Sequence, residues 1–191
     1  MKHYLMVDLG TGNSRVALVD SDGGILGLRT YTNVYHRDSA YEDGQYFLPE
    51  DWAALLLQGC RELCREHPDV QVNAVSAAGA RQSFVLLDGN GRAFLGLPNI
   101  DNRGRAYMAQ VPEHDEIYRL SGKWATEDFG AAKLLGLRMQ HPEQYEAVES
   151  VLSLSEWIAW IFTGRKVMEY TQACESQLYD IGQRSWSQTL C

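Results

Sequence analysis

The sequence predicts an α/β domain whose mixed sheet begins with an antiparallel meander. Three apolar runs open the chain, over residues 4–9, 14–20 and 24–34, and turn signals separate them. Helical and strand-like segments then alternate, which is the order expected for a sheet with helices on both faces. No Pro/Gly/Ser linker or low-complexity tract divides the 191 residues, so we expect one domain over residues 1–191.

The first half of the chain contains the meander, a helix and a strand. Ser21-Asp22-Gly23-Gly24 predicts a tight turn between the second and third strands, and residues 35–47 are polar and irregular. Pro49 and the two acids after it favour the first turn of a helix, which Pro68 ends. Residues 70–78 are small and apolar, which predicts a buried strand with helices on both sides.

The second half alternates short strands with helices. Asp88-Gly89-Asn90-Gly91 predicts a hairpin turn between residues 83–87 and 92–95. Gly164 is typical of the glycine that ends a helix. Residues 184–191 resemble the first turns of another helix, so we expect a fragment of a longer protein. Helices are expected near residues 103–110, 113–121, 130–140, 142–148 and 155–163, with a strand at 151–154.

Composition and charge favour a cytoplasmic protein. The net charge of −8 argues against non-specific binding to nucleic acid or to anionic membranes. No apolar run approaches the roughly 20 residues of a membrane span, and the first residues lack the apolar core of a signal peptide. Four cysteines do not suggest a disulfide framework. Cys60, Cys64 and His67 share a helix face without a second ligand pair, so packed thiols are favoured over a metal site.

The segment Asp8-Leu9-Gly10-Thr11-Gly12-Asn13-Ser14-Arg15 forms the turn of the first predicted hairpin. Asp8 supplies the hard oxygen ligand that Mg²⁺ prefers. The hydroxyl, amide and guanidinium groups that follow suit phosphate, and the two glycines let the backbone approach a ligand closely. The chain lacks G-x-x-x-x-G-K-[ST], and the dinucleotide spacing of three glycines is absent here. The sequence therefore predicts a phosphate site over a strand–turn–strand, with an ordinary polar turn as the alternative.

Three further polar clusters follow predicted strands or turns: Gly79-Ala80-Arg81-Gln82-Ser83, Asn99-Ile100-Asp101-Asn102-Arg103 and Glu169-Tyr170-Thr171-Gln172-Ala173. Ligands of open α/β sheets collect beyond strand ends, so we expect these loops to approach the Asp8 turn. A salt bridge between Asp101 and either Arg81 or Arg103 is the structural alternative to a binding role.

Taken in order, these motifs resemble the FGGY family of carbohydrate kinases, over essentially the whole chain as its N-terminal lobe. Asp8-x-Gly10-Thr11-x-x-Ser14-Arg15 resembles the first phosphate loop, residues 75–83 resemble the sugar loop, and Asn99-x-Asp101-x-Arg103 resembles the N/W-x-D-x-R segment. Residues 154–158 with Thr163-Gly164 resemble the D-[WY]-L…T-G helix, and residues 179–186 the D…W stretch after it. Ala80, Asn99 and Glu156 depart from the common pattern and leave the substrate open, while the Asn-x-Asp-x-Arg form is similar to kinases of the autoinducer-2 type.

The resemblance implies an actin-like, ribonuclease-H-like lobe and a partner lobe, with ATP, Mg²⁺ and a sugar or polyol in the cleft between them. The catalytic aspartate and the C-terminal ATP-binding lobe are expected after Cys191, so the fragment alone is expected to be inactive. A homodimer is an expectation for the whole enzyme. The implied site residues are Asp8 for the metal; Gly10, Thr11, Gly12, Asn13, Ser14 and Arg15 for phosphate; and Arg81, Gln82, Asn99, Asp101, Arg103, Asp128 and Phe129 for the substrate.

Two functions of other classes stay open. An actin-like or chaperone-type ATPase shares the phosphate hairpin but lacks the sugar loops, and it predicts ATP hydrolysis without a polyol. A non-catalytic lobe that binds a sugar or a partner protein predicts ligand binding without turnover. Arg81-Gln82 together with Asp101-x-Arg103 favours the kinase over both.

Overall fold

The computed structural model describes residues 1–111 and 114–191. Its helices are α1 (Pro49–Glu66), α2 (His114–Ser121), α3 (Gly130–Gln140), α4 (Pro142–Glu146), α5 (Leu154–Thr163) and α6 (Tyr170–Glu175), with a 3₁₀ helix at Arg105–Gln110. Its strands are β1 (His3–Leu9), β2 (Asn13–Asp20), β3 (Ile25–Thr32), β4 (His36–Asp38), β5 (Gly44–Tyr46), β6 (Val72–Gly79), β7 (Phe84–Leu87), β8 (Ala93–Leu97), β9 (Ser150–Ser153), β10 (Tyr179–Asp180) and β11 (Ser185–Trp186). The predicted mixed α/β fold is confirmed.

The principal sheet has the strand order β3-β2-β1-β6 and contains the predicted meander. β1 and β2 pair antiparallel with Asp8 opposite Arg15, while β6 runs parallel to β1 with Gly79 opposite Leu9. β1 and β6 therefore end side by side, at the edge where the hairpin turn between β1 and β2 also lies. This arrangement brings two of the predicted site segments to one place.

One face of the principal sheet forms the main core, and the other is largely open. Leu5, Val7 and Leu9 of β1 pack with residues of α1 and α5, whereas Met6 between them is 41% exposed. Alternation of this kind indicates a sheet buried on one side. The prediction of a fully buried β6 is wrong, because its Asn73 and Ser76 are exposed.

A second sheet, of order β8-β7-β9, lies between two cores. Val85 and Leu87 of β7 join the main core, while Leu86 packs with Leu137 of α3 in a second cluster. β7 is therefore buried on both faces, which explains its uninterrupted apolar sequence.

Local differences from the sequence prediction have local causes. The irregular residues 35–47 contain a short hairpin of β4 and β5. The expected helix start at residues 184–191 is wrong, because Arg184 has a φ of 54° and the next two residues pair as β11 with β10. The predicted helix over 113–121 is present from His114, and its first predicted residue lies outside the described residues. Gly164 ends α5 with a φ of 68°, as predicted.

Within the described part of the chain, no helix combines the length and the apolar character needed to span a bilayer.

Candidate functional site

Asp8 and Arg15 form an ion pair across the first hairpin. Their Oδ2 and Nη1 atoms are 3.1 Å apart, and about half of each side chain is exposed. The pair follows from the β1–β2 register, which puts both residues on the open face of the sheet. The predicted metal ligand and the predicted phosphate-binding cation are therefore neighbours at the surface.

Two residues that follow β3 hold the turn between β1 and β2 in place. The Asn33 side-chain amide donates to the carbonyl oxygens of Gly10 (2.7 Å) and Thr11 (3.2 Å), and the Tyr35 hydroxyl donates to Thr11 O (2.6 Å). Within the turn, Gly10 N donates to Asn13 O at 3.0 Å. These contacts bind carbonyl groups and fix the backbone before any ligand arrives. Asn33 and Tyr35 were missed by sequence reasoning, since nothing in the spacing of residues 33–35 marks them as partners of the turn.

Ser14 differs from its neighbours in the predicted phosphate set. It is buried, and its hydroxyl donates to Asn33 Oδ1 at 2.6 Å. Gly12 and Arg15, by contrast, are exposed. The hydroxyl of Ser14 thus stabilises the hairpin from within, and its backbone lies in β2 between β1 and β3.

Asn99 joins the hairpin turn to the loop after β6. Its side-chain amide donates to Thr11 Oγ1 at 3.0 Å, and its backbone N–H donates to Ser83 Oγ at 2.9 Å. The loop after β6 is also tied to β1 directly, because Ala80 N donates to Leu9 O at 2.8 Å. The structure therefore brings together the Asp8 turn, the Arg81 loop and the Asn99 loop.

Arg81, Gln82 and Asp128 keep their polar groups available. Arg81 is exposed, Gln82 and Asp128 are partly exposed, and within the described residues their side chains make no hydrogen bond or ion pair. Gln82 has a φ of 58°, in the left-handed region that non-glycine residues enter at a cost. Phe129 is buried, with the Lys123 ammonium 5.3 Å from its ring centre. Strained backbone beside unpaired polar groups is typical of a binding site.

Asp101 and Arg103 are instead paired with each other in the interior. Arg103 Nε donates to Asp101 Oδ2 at 2.7 Å, and both side chains are fully buried. Asp101 Oδ1 accepts from Gln45 N, and the Arg103 guanidinium lies 4.9 Å from the Tyr41 ring centre. Arg103 Nη1 is also 3.7 Å from Asp38 Oδ2. The sequence allowed a salt bridge from Asp101 to either Arg81 or Arg103, and the structure shows the one to Arg103. Asp101 and Arg103 therefore shape the loop from inside.

The third polar cluster lies at the start of α6 and connects to α5. The Glu169 carboxylate accepts from Thr171 N at 2.9 Å and caps α6, while Glu169 N donates to Glu156 Oε1 at 3.4 Å. α5 in turn packs closely on the end of β6, where a Cβ on Gly79 would lie 2.6 Å from Leu154 Cβ. Within the described residues no hydrogen bond or ion pair joins this cluster to the Asp8 turn, so two of the three loops approach the turn as expected and this one does not.

Asp8 suits a magnesium ion that keeps most of its water. The described residues contain no group of three or more His, Cys, Asp or Glu side chains that could hold a metal. Mg²⁺ is commonly bound through one or two carboxylates together with waters and substrate phosphates. The half-exposed Asp8 carboxylate beside the turn fits that mode.

Comparison with known proteins gives one family for the whole chain. Residues 3–191 match the model for the FGGY family of carbohydrate kinases, N-terminal domain. A putative sugar kinase, YoaC, of Bacillus subtilis is 39% identical over 191 residues, which is all of this chain and 39% of that protein. An autoinducer-2 kinase of Salmonella choleraesuis is 28% identical over 98% of this chain and 37% of its own length. The chain thus spans less than two fifths of these relatives.

Solved structures share the fold. A Brucella ovis structure described as a xyloylose kinase superposes with a TM-score of 0.88 at 20% identity, covering 98% of this chain and 39% of that one. Plasmodium falciparum glycerol kinase with ADP superposes with a TM-score of 0.81 at 16% identity, covering 100% of this chain and 40% of that one.

Proposed function

Because the chain belongs to the FGGY family of carbohydrate kinases, we propose that the protein transfers the γ-phosphoryl group of ATP to a hydroxyl of a sugar or polyol. The observation that carries this proposal is the meeting of the hairpin turn with two polar loops, through Thr11–Asn99 and Asn99–Ser83 hydrogen bonds. This chain, residues 1–191, would be the N-terminal lobe. The rest of the whole protein would supply the ATP-binding lobe and the catalytic aspartate.

Phosphoryl transfer depends on positioning and on neutralising phosphate charge. We propose that Asp8 holds Mg²⁺ through water, and that the bound ion would offset charge on the phosphates. Residues 10–13 would present their backbone to the phosphate from a turn that Asn33 and Tyr35 hold rigid. Arg15 lies beside Asp8 and would shift its guanidinium towards the γ-phosphate.

Sugar recognition needs several hydrogen-bonding groups that no protein partner already uses. Judged on the part of the chain that the structure describes, Arg81, Gln82 and Asp128 meet this requirement. Asn99 contributes one side of the same surface, although its amide already contacts Thr11. Asp101 and Arg103, which are buried, would act by holding the loop that carries Asn99.

The direct test is ATP consumption by the whole protein against a panel of polyols, ketoses and the autoinducer-2 signal. Consumption that requires one sugar supports the kinase and names its substrate. ATP hydrolysis without any sugar indicates an actin-like or chaperone-type ATPase, and a ligand-induced rise in melting temperature without turnover indicates a binding lobe. The Asn99-x-Asp101-x-Arg103 motif and the 28% identity to autoinducer-2 kinase make that signal the first compound to assay.

Alanine substitutions test the residue roles. We expect Asp8→Ala and Arg81→Ala each to lower kcat/KM by about 100-fold or more, because each removes a charge that positions a ligand. Arg92→Ala is the matched control, since Arg92 is exposed and pairs with Glu50. The measurement is steady-state kinetics of the whole protein, with melting temperatures for all variants. Near-normal turnover in both site variants would refute the assignments.

We also propose a cellular location and an oligomeric state for the whole protein. All four cysteines are free thiols, which supports a reducing compartment such as the cytoplasm. A small-molecule sugar is the proposed partner, and a homodimer is proposed for the whole enzyme on family resemblance alone.

A further inference from the structure

Lys133 is a fully buried lysine that belongs to none of the predicted site motifs. It lies on α3, and its ammonium donates to the carbonyl oxygens of Pro98 (3.1 Å) and Asp101. Burial lowers the pKa of Lys133 to about 8, although Asp101 and Asp128 act in the opposite direction. A buried ammonium is costly compared with an apolar side chain of the same volume. Both acceptors lie in the short turn at residues 98–101, which indicates that the ammonium holds this turn against α3.

The turn lies close to Lys133 because the backbone of residues 98–104 packs directly against the backbone of α3. A Cβ on Gly104 would lie 2.2 Å from Ala132 O, and one on Gly136 would lie 2.5 Å from Arg103 O. Any side chain at either position would force the helix and the segment apart. Two glycines on opposite sides of this contact therefore place the carbonyls of the turn within reach of the lysine.

The same turn carries Asn99, the residue that joins the loops of the proposed site. Asp101 N donates back to Pro98 O at 3.0 Å, which closes the turn around Asn99. From there Asn99 contacts Thr11 of the hairpin and Ser83 of the loop after β6. A continuous series of contacts thus runs from the α3 ammonium to both loops.

We propose that Lys133 is a positioning residue for phosphoryl transfer, whose ammonium holds the turn at residues 98–101 so that Asn99 joins the phosphate-binding turn to the Arg81 loop. The catalytic consequence rests on the proposed kinase function. The structural consequence rests on the contacts alone, so the two are tested separately.

Hydrogen–deuterium exchange of the 191-residue chain tests the structural consequence. Lys133→Met is expected to accelerate exchange of the Asn99 and Asp101 amides by at least about tenfold, because the turn loses its anchor. The Ala80 amide, which donates to Leu9 O, should keep its protection. Lys133→Gln, which retains a donor, should show a smaller acceleration. It also serves as the test variant if the methionine variant does not fold.

Lys123→Met is the matched control for exchange. Lys123 is a partly buried lysine that pairs with Glu175 at 2.9 Å and lies 5.3 Å from the Phe129 ring centre. Within the described residues its side chain makes no hydrogen bond or ion pair with the turn. Its replacement should leave the Asn99 amide unchanged. Unchanged exchange in the Lys133 variants would overturn the proposal. So would equal acceleration at Ala80, because that would make Lys133 a general stabiliser.

Kinetics of the whole protein test the catalytic consequence. Lys133→Met should lower kcat by about tenfold or more with little change in the sugar KM, since misplacing the phosphate turn costs positioning of the reacting groups. Lys133→Gln should recover part of the loss, and Arg92→Ala, at an exposed residue paired with Glu50, should behave as wild type. A loss confined to KM would overturn the catalytic role. A wild-type protein that phosphorylates no sugar would instead refute the proposed function, while the exchange result would still decide the structural role.

Discussion

At the scale of single residues, two glutamines share a backbone conformation and use it differently. Gln82 and Gln177 have φ values of 58° and 60°, in the left-handed region that costs a non-glycine residue free energy. Gln177 is buried, and its side chain donates to the carbonyl oxygens of Lys123 and Trp124. The Gln82 side chain has no such partner among the described residues. At Gln177 two side-chain hydrogen bonds offset the free-energy cost of the left-handed backbone. At Gln82 no side-chain hydrogen bond among the described residues does so.

Glycine substitution separates the two cases. Gln82→Gly should raise the free energy of unfolding by up to about 1 kcal/mol, because glycine adopts this φ without strain. Sugar-dependent turnover of the whole protein should fall in the same variant. Gln177→Gly, the control, should lower stability by roughly 1–2 kcal/mol, since two buried carbonyls lose their donor. Urea unfolding measures both, and a destabilised Gln82→Gly would argue against stored strain.

Lys133 also predicts how stability depends on pH. Its pKa is about 8 in the folded protein against 10.5 as the ordinary value. Between these values the unfolded chain binds more protons, so the free energy of unfolding should rise with pH, by roughly 3 kcal/mol in total. Lys133→Met should lack this rise. Urea unfolding of both proteins across this pH range measures it.

Comparing the wild-type protein with Lys133→Met cancels the contributions of other titrating groups to the pH dependence of stability. Burial raises the pKa of Cys60 to about 11, which lowers stability as pH rises above the ordinary thiol value of 9.0. That contribution is common to both proteins, so the difference between their curves isolates Lys133. Parallel curves would show that the buried amine is not held at a lowered pKa.

At the scale of elements, the junction between β6 and α5 supports the site. Gly79 ends β6, and a Cβ there would lie 2.6 Å from Leu154 Cβ and 3.0 Å from Ser155 N. Gly79→Ala should therefore lower the free energy of unfolding by about 1–3 kcal/mol through overpacking. Gly89→Ala is the control, since a Cβ on Gly89 meets nothing within 4 Å, and it should change stability by less than about 0.5 kcal/mol. Thermal and urea unfolding of both variants test this contrast.

The elements that the sequence predicted well are those specified by neighbouring residues. The turn at residues 21–24, the proline start of α1 and the Gly164 end of α5 all depend on local backbone preferences. The strand pair β10–β11 could not be predicted from neighbouring residues, because β11 forms by pairing with β10. The pattern of residues 184–191 itself resembles a helix.

The meeting of the loops at the candidate site was predictable from the sequence, but the residues that hold these loops in place were not. The motifs around Asp8, Arg81 and Asn99 are contiguous in sequence, and the structure brings them together. Asn33 and Lys133 act on groups 22 and 35 residues away, respectively, so no local spacing reveals them. The sequence could not decide whether Arg103 would face a ligand or pair with Asp101, because the residues that enclose this pair, Tyr41 and Gln45, are distant in sequence.

At the scale of the whole molecule, one face of the principal sheet is open within the described residues. Met6 and Leu28 are 41% and 48% exposed there. Apolar sheet surface of this kind favours association. The 191-residue chain should therefore bind a hydrophobic dye and form larger species as its concentration rises. Replacing both residues with lysine should reduce both effects by about twofold or more.

Leu55 provides the control for this test. It is 37% exposed but lies on α1, on the covered side of the sheet. Leu55→Lys should leave dye binding and sedimentation unchanged. If it reduces association as strongly as the double variant, the open face is not the cause.

The burial of β7 on both faces has a consequence for how the molecule opens. Its residues belong to the main core on one side and to the α3 cluster on the other, so its hydrogen bonds cannot break until both cores separate. Segments of this kind exchange only through global unfolding. The loop with Arg81 and Gln82 leads directly into this strand. One edge of the proposed sugar site is therefore anchored in the part of the protein that is the last to come apart.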